Sequence, residues 1–167
     1  MRDGPIPYEY TKRLPLLHPA NLAATWFGAG LMRPAPGTWG SAAALPFAWV
    51  IQSLGGFWAL LAATAVVFLI GCWASQVYVT RARVEDPGAI VIDEVAGQWI
   101  VLMPVMPDPV LYLFGFFLFR FLDILKPWPA GWADRYVKGG VGVMLDDSLA
   151  ALYALPVMAL LQWWHPW

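Results

Sequence analysis

The stretch FWALLAATAVVFLIGCWASQVYV, from Phe57 to Val79, carries no charged residue. As an α-helix it is long enough to cross about 30 Å of hydrocarbon. A helix also satisfies its backbone polar groups without water. Ser41–Leu54, just before it, is apolar but shorter, with Pro46 near its start. Gly55-Gly56 separates the two, so they read as a helical hairpin. Ile90–Met106 is a third apolar segment, with Asp93 and Glu94 near its start, and Pro107-Asp108-Pro109 reads as a turn. Val110–Leu125 is a fourth, with Arg120 and Asp123 near its end, and Leu149–Trp164 is a fifth. Asn21–Gly30 reads as a helix lying in or dipping into the interface. The pattern predicts an all-α fold, a polytopic membrane helix bundle with about four to five membrane segments plus an interfacial N-terminal helix. The number stays open because Ser41–Leu54 is short enough to be re-entrant. Residues 21–167 form the expected membrane domain, and Met1–Ala20 an arm outside it.

Composition agrees. The chain is 60% apolar, against about 45–50% for a soluble domain. Only 13% of residues are charged, about half the soluble average. A soluble protein of this size could not hide that much apolar surface, so lipid must cover part of it. Eleven Trp and six Tyr suit a protein with two wet interfaces, where amphipathic rings settle. The net charge of −1 gives no sign of nucleic acid. A single cysteine, Cys72, excludes an internal disulfide and a Cys-based zinc site, and reads as a packed small hydrophobe. The N-terminus lacks an apolar core of signal-peptide type, so no cleaved leader is expected.

Threading the five segments back and forth sorts the connections into two sets. One contains Gly55-Gly56, Pro107–Pro109 and the tail His165–Trp167, with Asp108 as its one formal charge. The other contains the N-terminal arm with Leu31–Gly40, then Thr80–Ala89, then Lys126–Asp147. With the adjacent helix ends it holds all 10 Lys and Arg. By the positive-inside rule this second face is cytoplasmic.

Three clusters on that face carry chemistry. Arg33–Ser41 (RPAPGTWGS) reads as a Pro- and Gly-rich loop feeding a helix, with Thr38 or Ser41 as its cap. Such a turn offers free N–H groups to an anion, although ordinary helix-entry loops look the same. In Asp86–Gly97, Asp93 and Glu94 stand inside an apolar helix start. Two carboxylates there are expensive unless a cation or donor meets them. The plain alternative is that they sit in headgroup water and favour the helix N-terminus. Gly97, one turn on, would let a neighbouring helix approach closely. In the third cluster Arg120, Asp123 and Lys126 recur every three residues and share a helix face, and Asp134, Arg135, Asp146 and Asp147 follow. An Arg120–Asp123 pair could be structural, Lys126 could simply snorkel, and one of Asp146 and Asp147 could cap the last helix.

Taken together, Asp93, Glu94, Asp123, Asp146 and Asp147 come from three helices, accompanied by Arg120, Lys126 and Arg135. No histidine lies among them: His18 is in the arm and His165 at the other end. Oxygen ligands without His or Cys suit Mg²⁺, and basic groups beside a hard cation suit a phosphate. The residues read as a Mg²⁺-dependent phosphoryl-transfer site at the cytoplasmic surface.

Gly28–Pro46, the stretch DPGAIVIDEVAGQW (86–99) and the stretch FRFLDILKPWPAGWADRYVKGGVGVMLDDSLA (119–150) resemble the phosphatidylglycerophosphatase A family. The resemblance runs from about Asn21 to the last helix, through long, ordered, collinear motifs. It implies an all-helical bacterial inner-membrane enzyme of phospholipid biosynthesis. The implied reaction is Mg²⁺-dependent hydrolysis of phosphatidylglycerophosphate to phosphatidylglycerol and inorganic phosphate. Asp93, Glu94, Asp123, Asp146 and Asp147 match the family's acidic motif positions, and Arg120 and Lys126 its basic ones. All five carboxylates are then candidate metal ligands. Asp93, Glu94, Asp123, Arg120 and Lys126 are candidate catalytic groups. Arg120, Lys126, Arg135, Gly37, Thr38 and Ser41 are candidates to bind the phosphate. The sequence leaves open attack by an activated water or by an aspartate, and whether the chain forms a homo-oligomer. Beyond the lipid substrate and membrane lipids it suggests no partner. The competing readings are a phosphatase of the same family for another lipid phosphate, and a non-enzymatic membrane ion-binding protein.

Overall fold

The computed structural model describes residues 14–82 and 88–164, and all regular structure among them is helical. Arg2, Lys12, Arg13, Arg83, Asp86, Pro87 and the tail His165–Trp167, which entered the topology or motif reading, lie outside the described residues. Helix α1 spans Pro19–Ala24. The His18 imidazole caps it, accepting from the Ala20 N–H at 3.2 Å. Trp26, Phe27 and Gly28 then turn in left-handed conformation, and a single 3₁₀ turn, Ala29–Leu31, follows. The helix expected over Asn21–Gly30 is therefore shorter and starts earlier.

Helix α2 spans Pro36–Ala82. Pro36 opens it, a position where a missing N–H costs nothing. Gly37 and Gly40 are thus helical, which corrects the loop expected over Arg33–Ser41. Thr38 and Ser41 lie inside the helix and do not cap it. Gly56, at φ 61° and ψ −153°, breaks α2 in a conformation that glycine tolerates and other residues resist. Before the break, Gly40 packs on Val91, and Gln52 reaches the carbonyls of Leu102 and Val105. After it, Gly71 packs on Met144, and Gln76 accepts from the Gly140 N–H at 2.8 Å. The two halves therefore run out and back, as the glycine pair predicts.

Helix α3 spans Ile92–Leu102, and α4 spans Pro109–Leu125. Asp108 caps α4, its Oδ1 accepting from Val110 and Leu111 at 2.9 Å each. Helices α5, Ala130–Tyr136, and α6, Gly139–Trp164, complete the chain. Helix α6 begins well before Leu149, so Asp146 and Asp147 lie inside it and neither caps it. Glycines 140 and 142 weaken its first turns intrinsically. In return they let the backbone approach Cys72 and Gln76 on α2, and Val137.

Helix α3 is the centre of the bundle. It packs on α2, α6 and α4, and all its residues except Glu94 and Ile100 are buried. Its length is about 16 Å, close to half the hydrocarbon thickness, so as a helix it is shorter than the segment expected over Ile90–Met106. The Trp99 indole donates to the Ala44 carbonyl at 3.0 Å, and the Val91 N–H to the Ala24 carbonyl at 2.8 Å. The Val91 bond pins the α3 entry to α1, and the Trp99 bond ties the second half of α3 to α2. At its other end Gln52 and Tyr112 close the turn between α3 and α4. Two helices, Pro36–Arg81 and Gly139–Trp164, are long and apolar enough to cross a membrane. Leu54, Trp58 and Leu69 on α2, Phe117 and Ile124 on α4, and Leu160 and Trp163 on α6 point outward.

Candidate active site

One end of the bundle gathers the charge. The first turn of α3 supplies Asp93 and Glu94, the last turn of α4 Asp123, and the third turn of α6 Asp146 and Asp147. Asp93, Asp123, Asp146 and Asp147 are all buried. Carboxylate oxygens of Asp93, Glu94 and Asp147 lie within 4.8 Å of one another. Close approach of the helices makes this possible: a methyl group on Gly97 would meet the Phe119 ring at 2.5 Å and the Asp147 carbonyl at 3.3 Å.

These groups line a cavity of about 210 Å³. Its wall carries the carboxylates Asp93, Glu94, Asp123, Asp134, Asp146 and Asp147 against the ammonium groups of Lys126 and Lys138. Such an excess of buried negative charge calls for a cation. The donor set is all oxygen, and it fits Mg²⁺. Glu94 Oε2 and Asp146 Oδ1 are buried and have no hydrogen-bond partner. They leave unspent acceptor capacity at the site.

The two basic residues expected to act together face different ways. Lys126, the left-handed residue that ends α4, pairs with Asp146, and with Asp134 at 3.0 Å. Burial alone would lower the Lys126 ammonium, but Asp146, Asp147 and Asp134 outweigh it and hold it above the usual lysine range. Arg120 sits behind the carboxylates. Its Nη1 is 2.7 Å from Asp123 and 3.9 Å from Glu94, and it donates to Ser41 Oγ at 3.4 Å. Gly37 is packed against the Glu94 carboxylate and the Arg120 guanidinium, with no room for a side chain. The start of α2 therefore backs the Glu94–Arg120 side of the cluster. Gly37, Thr38, Ser41 and Arg120 are not among the cavity's lining residues. Arg135 is exposed and also outside the lining.

Asp134 and Lys138 line the cavity although the sequence reading assigned them no role. They flank Arg135 in one polar run, and nothing local tells which of the three faces inward. A third unassigned residue, Gln98, is fully buried one turn below Glu94. An amide inside an apolar run was the signal for it.

The chain matches the family described as Phosphatidylglycerophosphatase A over residues 22–162. A Haemophilus influenzae protein named phosphatidylglycerophosphatase A is 44% identical over 157 residues, covering 92% of this chain and 94% of that protein. An Escherichia coli protein of the same name is 37% identical over 157 residues, covering 93% and 89%. A Bacteroides thetaiotaomicron protein described as a candidate phosphatidylinositol-3-phosphatase is 37% identical over 149 residues, covering 85% and 92%. No solved structure matches the chain significantly.

Proposed function

The chain belongs to the phosphatidylglycerophosphatase A family and is a phosphatase, and from that premise we propose that it hydrolyses phosphatidylglycerophosphate in a Mg²⁺-dependent reaction. The products are phosphatidylglycerol and inorganic phosphate, and the site faces the cytoplasm from the bacterial inner membrane. The observation that carries this reading is the convergence of Asp93, Glu94 and Asp147, from α3 and α6, on one cavity with Lys126.

Asp93, Glu94 and Asp147 would hold the Mg²⁺, with Asp123 and Asp146 beside them. Bound there, the cation neutralises charge on the phosphate oxygens. Lys126 stays protonated among its carboxylates and is a donor to the phosphate. Arg120 fixes Asp123 and Glu94 against the start of α2, so the carboxylates keep their places as the substrate enters.

The site's depth supports a lipid substrate. From Asp147 to Trp164, α6 continues for about 25 Å, close to the hydrocarbon thickness of about 30 Å. With that length in the bilayer, the cavity lies at the surface, within reach of a headgroup whose acyl chains stay in lipid. The two halves of α2, the α3–α4 hairpin and α6 then make about four to five membrane segments. Arg33, Arg81, Arg120, Lys126, Arg135 and Lys138 all lie toward the cavity end, which supports a cytoplasmic orientation.

A second reading keeps the chemistry and changes the headgroup, and the name of the Bacteroides relative favours it. Purified protein assayed for phosphate release from phosphatidylglycerophosphate, phosphatidylinositol 3-phosphate and phosphatidic acid separates the two. Release from phosphatidylglycerophosphate, lost on chelation and restored by Mg²⁺, is the expected result. Preference for another lipid would install the second reading, and no release from any of them would refute both.

A further inference from the structure

Gln98 is a polar side chain in the most apolar part of the molecule. It lies on α3 among Val95, Ala96, Trp99, Val101 and Leu102, and it is wholly buried. Neither its amide nitrogen nor its oxygen has a hydrogen-bond partner. A buried amide with two donors and an acceptor unspent is rare, because burial strips its water without replacement. The other buried glutamine shows the contrast. Gln52 donates to the Leu102 and Val105 carbonyls and accepts from the Tyr112 hydroxyl. A leucine or methionine would fill the Gln98 site without that penalty, so packing does not account for the amide.

The complementary groups lie one turn away. Glu94 is four residues earlier on α3, and side chains at that spacing stack on one helix face. Its Oε2 is buried and has no partner, although its Oε1 lies 3.9 Å from Arg120 Nη1. Arg120 Nε, in the same neighbourhood, is also buried without a partner. The unspent donor of Gln98 thus matches the unspent acceptor of Glu94, and its unspent acceptor matches the Arg120 N–H.

We propose that Gln98 is a positioning residue for Glu94: its amide N–H donates to Glu94 Oε2 and holds the carboxylate turned toward Asp93 and Asp147. The four-residue spacing on α3 puts the two side chains on one helix face. Gln98 touches neither substrate nor cation and acts through Glu94. This inference rests on the catalytic reading above.

Gln98→Met keeps volume and flexibility and removes every hydrogen bond. Its Tm in detergent should stay close to the wild-type value, since methionine fills the same apolar site and Glu94 keeps Arg120 beside it. With phosphatidylglycerophosphate, KM should stay within about twofold while kcat falls about 10- to 100-fold, the usual effect of losing a group that orients a ligand. The Mg²⁺ concentration giving half of the full thermal shift should rise by a similar factor. An unchanged kcat with an unchanged Mg²⁺ midpoint overturns the proposal. So does a fall in kcat with a matching fall in Tm, which would make Gln98 a packing residue. A raised KM at constant kcat would place it in substrate binding, and also overturns it. If the wild type releases no phosphate, the reaction assigned above fails. The Mg²⁺ midpoint then still decides the role of Gln98.

Discussion

Replacing Lys126 with methionine strips the partner from a buried carboxylate. Asp146 has 8% of its side chain exposed, its Oδ2 pairs with Lys126, and its Oδ1 has no partner. Breaking a buried pair by removing one member costs about 3–5 kcal/mol. Lys126 keeps 28% exposure, so solvent screening moves the expected loss to the low end, about 3 kcal/mol. The reverse change is milder. In Asp146→Asn, Lys126 retains Asp134 at 3.0 Å, a residue that is itself 42% exposed, and it retains water. The loss there should be about 1 kcal/mol. For a chain of this length 1 kcal/mol shifts Tm by about 2–4 °C, so the falls should be about 6–12 °C and about 2–4 °C. The double variant should lose less than the two single losses added together, because it removes the Asp146 charge that loss of Lys126 alone would strand. Thermal unfolding followed by tryptophan fluorescence in detergent micelles, without added cation, measures all three. Equal losses, or a larger loss for Asp146→Asn, would refute the reasoning.

Gln52→Leu should lower Tm at the opposite end, by the equivalent of about 1–3 kcal/mol, as the Leu102 and Val105 carbonyls lose their donor. Its phosphate release at low temperature should match the wild type. Gly97→Ala should cost about 1–3 kcal/mol, since the new methyl runs into Phe119 and the Asp147 backbone. Turnover should fall with it, because α3 and α6 must part. In a Cys72→Ala background, an impermeant thiol reagent applied from outside the cell should label Met106→Cys and leave Arg135→Cys untouched. Both positions are exposed, at opposite ends of the bundle.

The out-and-back run of α2 was legible because a long charge-free stretch and a glycine pair leave few alternatives. The starts of α2 and α6 were not. Gly37, Gly40, Gly140 and Gly142 read as loop because glycine disfavours helix when judged locally. Their reward is close packing: each lets the chain approach Glu94, Val91, Cys72 or Val137 where a Cβ would collide, and all but Val137 are distant in sequence. That error misplaced Asp146 and Asp147 as cap candidates, although their helix had been recognised. The acidic positions stood out because carboxylates in apolar helices are costly. The split between Lys126 and Arg120 was hidden. Their three-residue spacing suggests one face, but Lys126 leaves the helix in a left-handed turn toward α6. Asp134 and Lys138 reach the cavity only through the packing of α5 on α6, which local sequence does not encode.

The central claim is that Asp93, Glu94 and Asp147 form one cation-dependent centre for removing phosphate from a lipid. Phosphate release from phosphatidylglycerophosphate by purified Asp93→Asn and Asp147→Asn proteins, at saturating Mg²⁺ with Tm measured in parallel, tests it most directly. The account predicts release at or near background in both variants while each unfolds cooperatively. Near-normal turnover in either folded variant would contradict it.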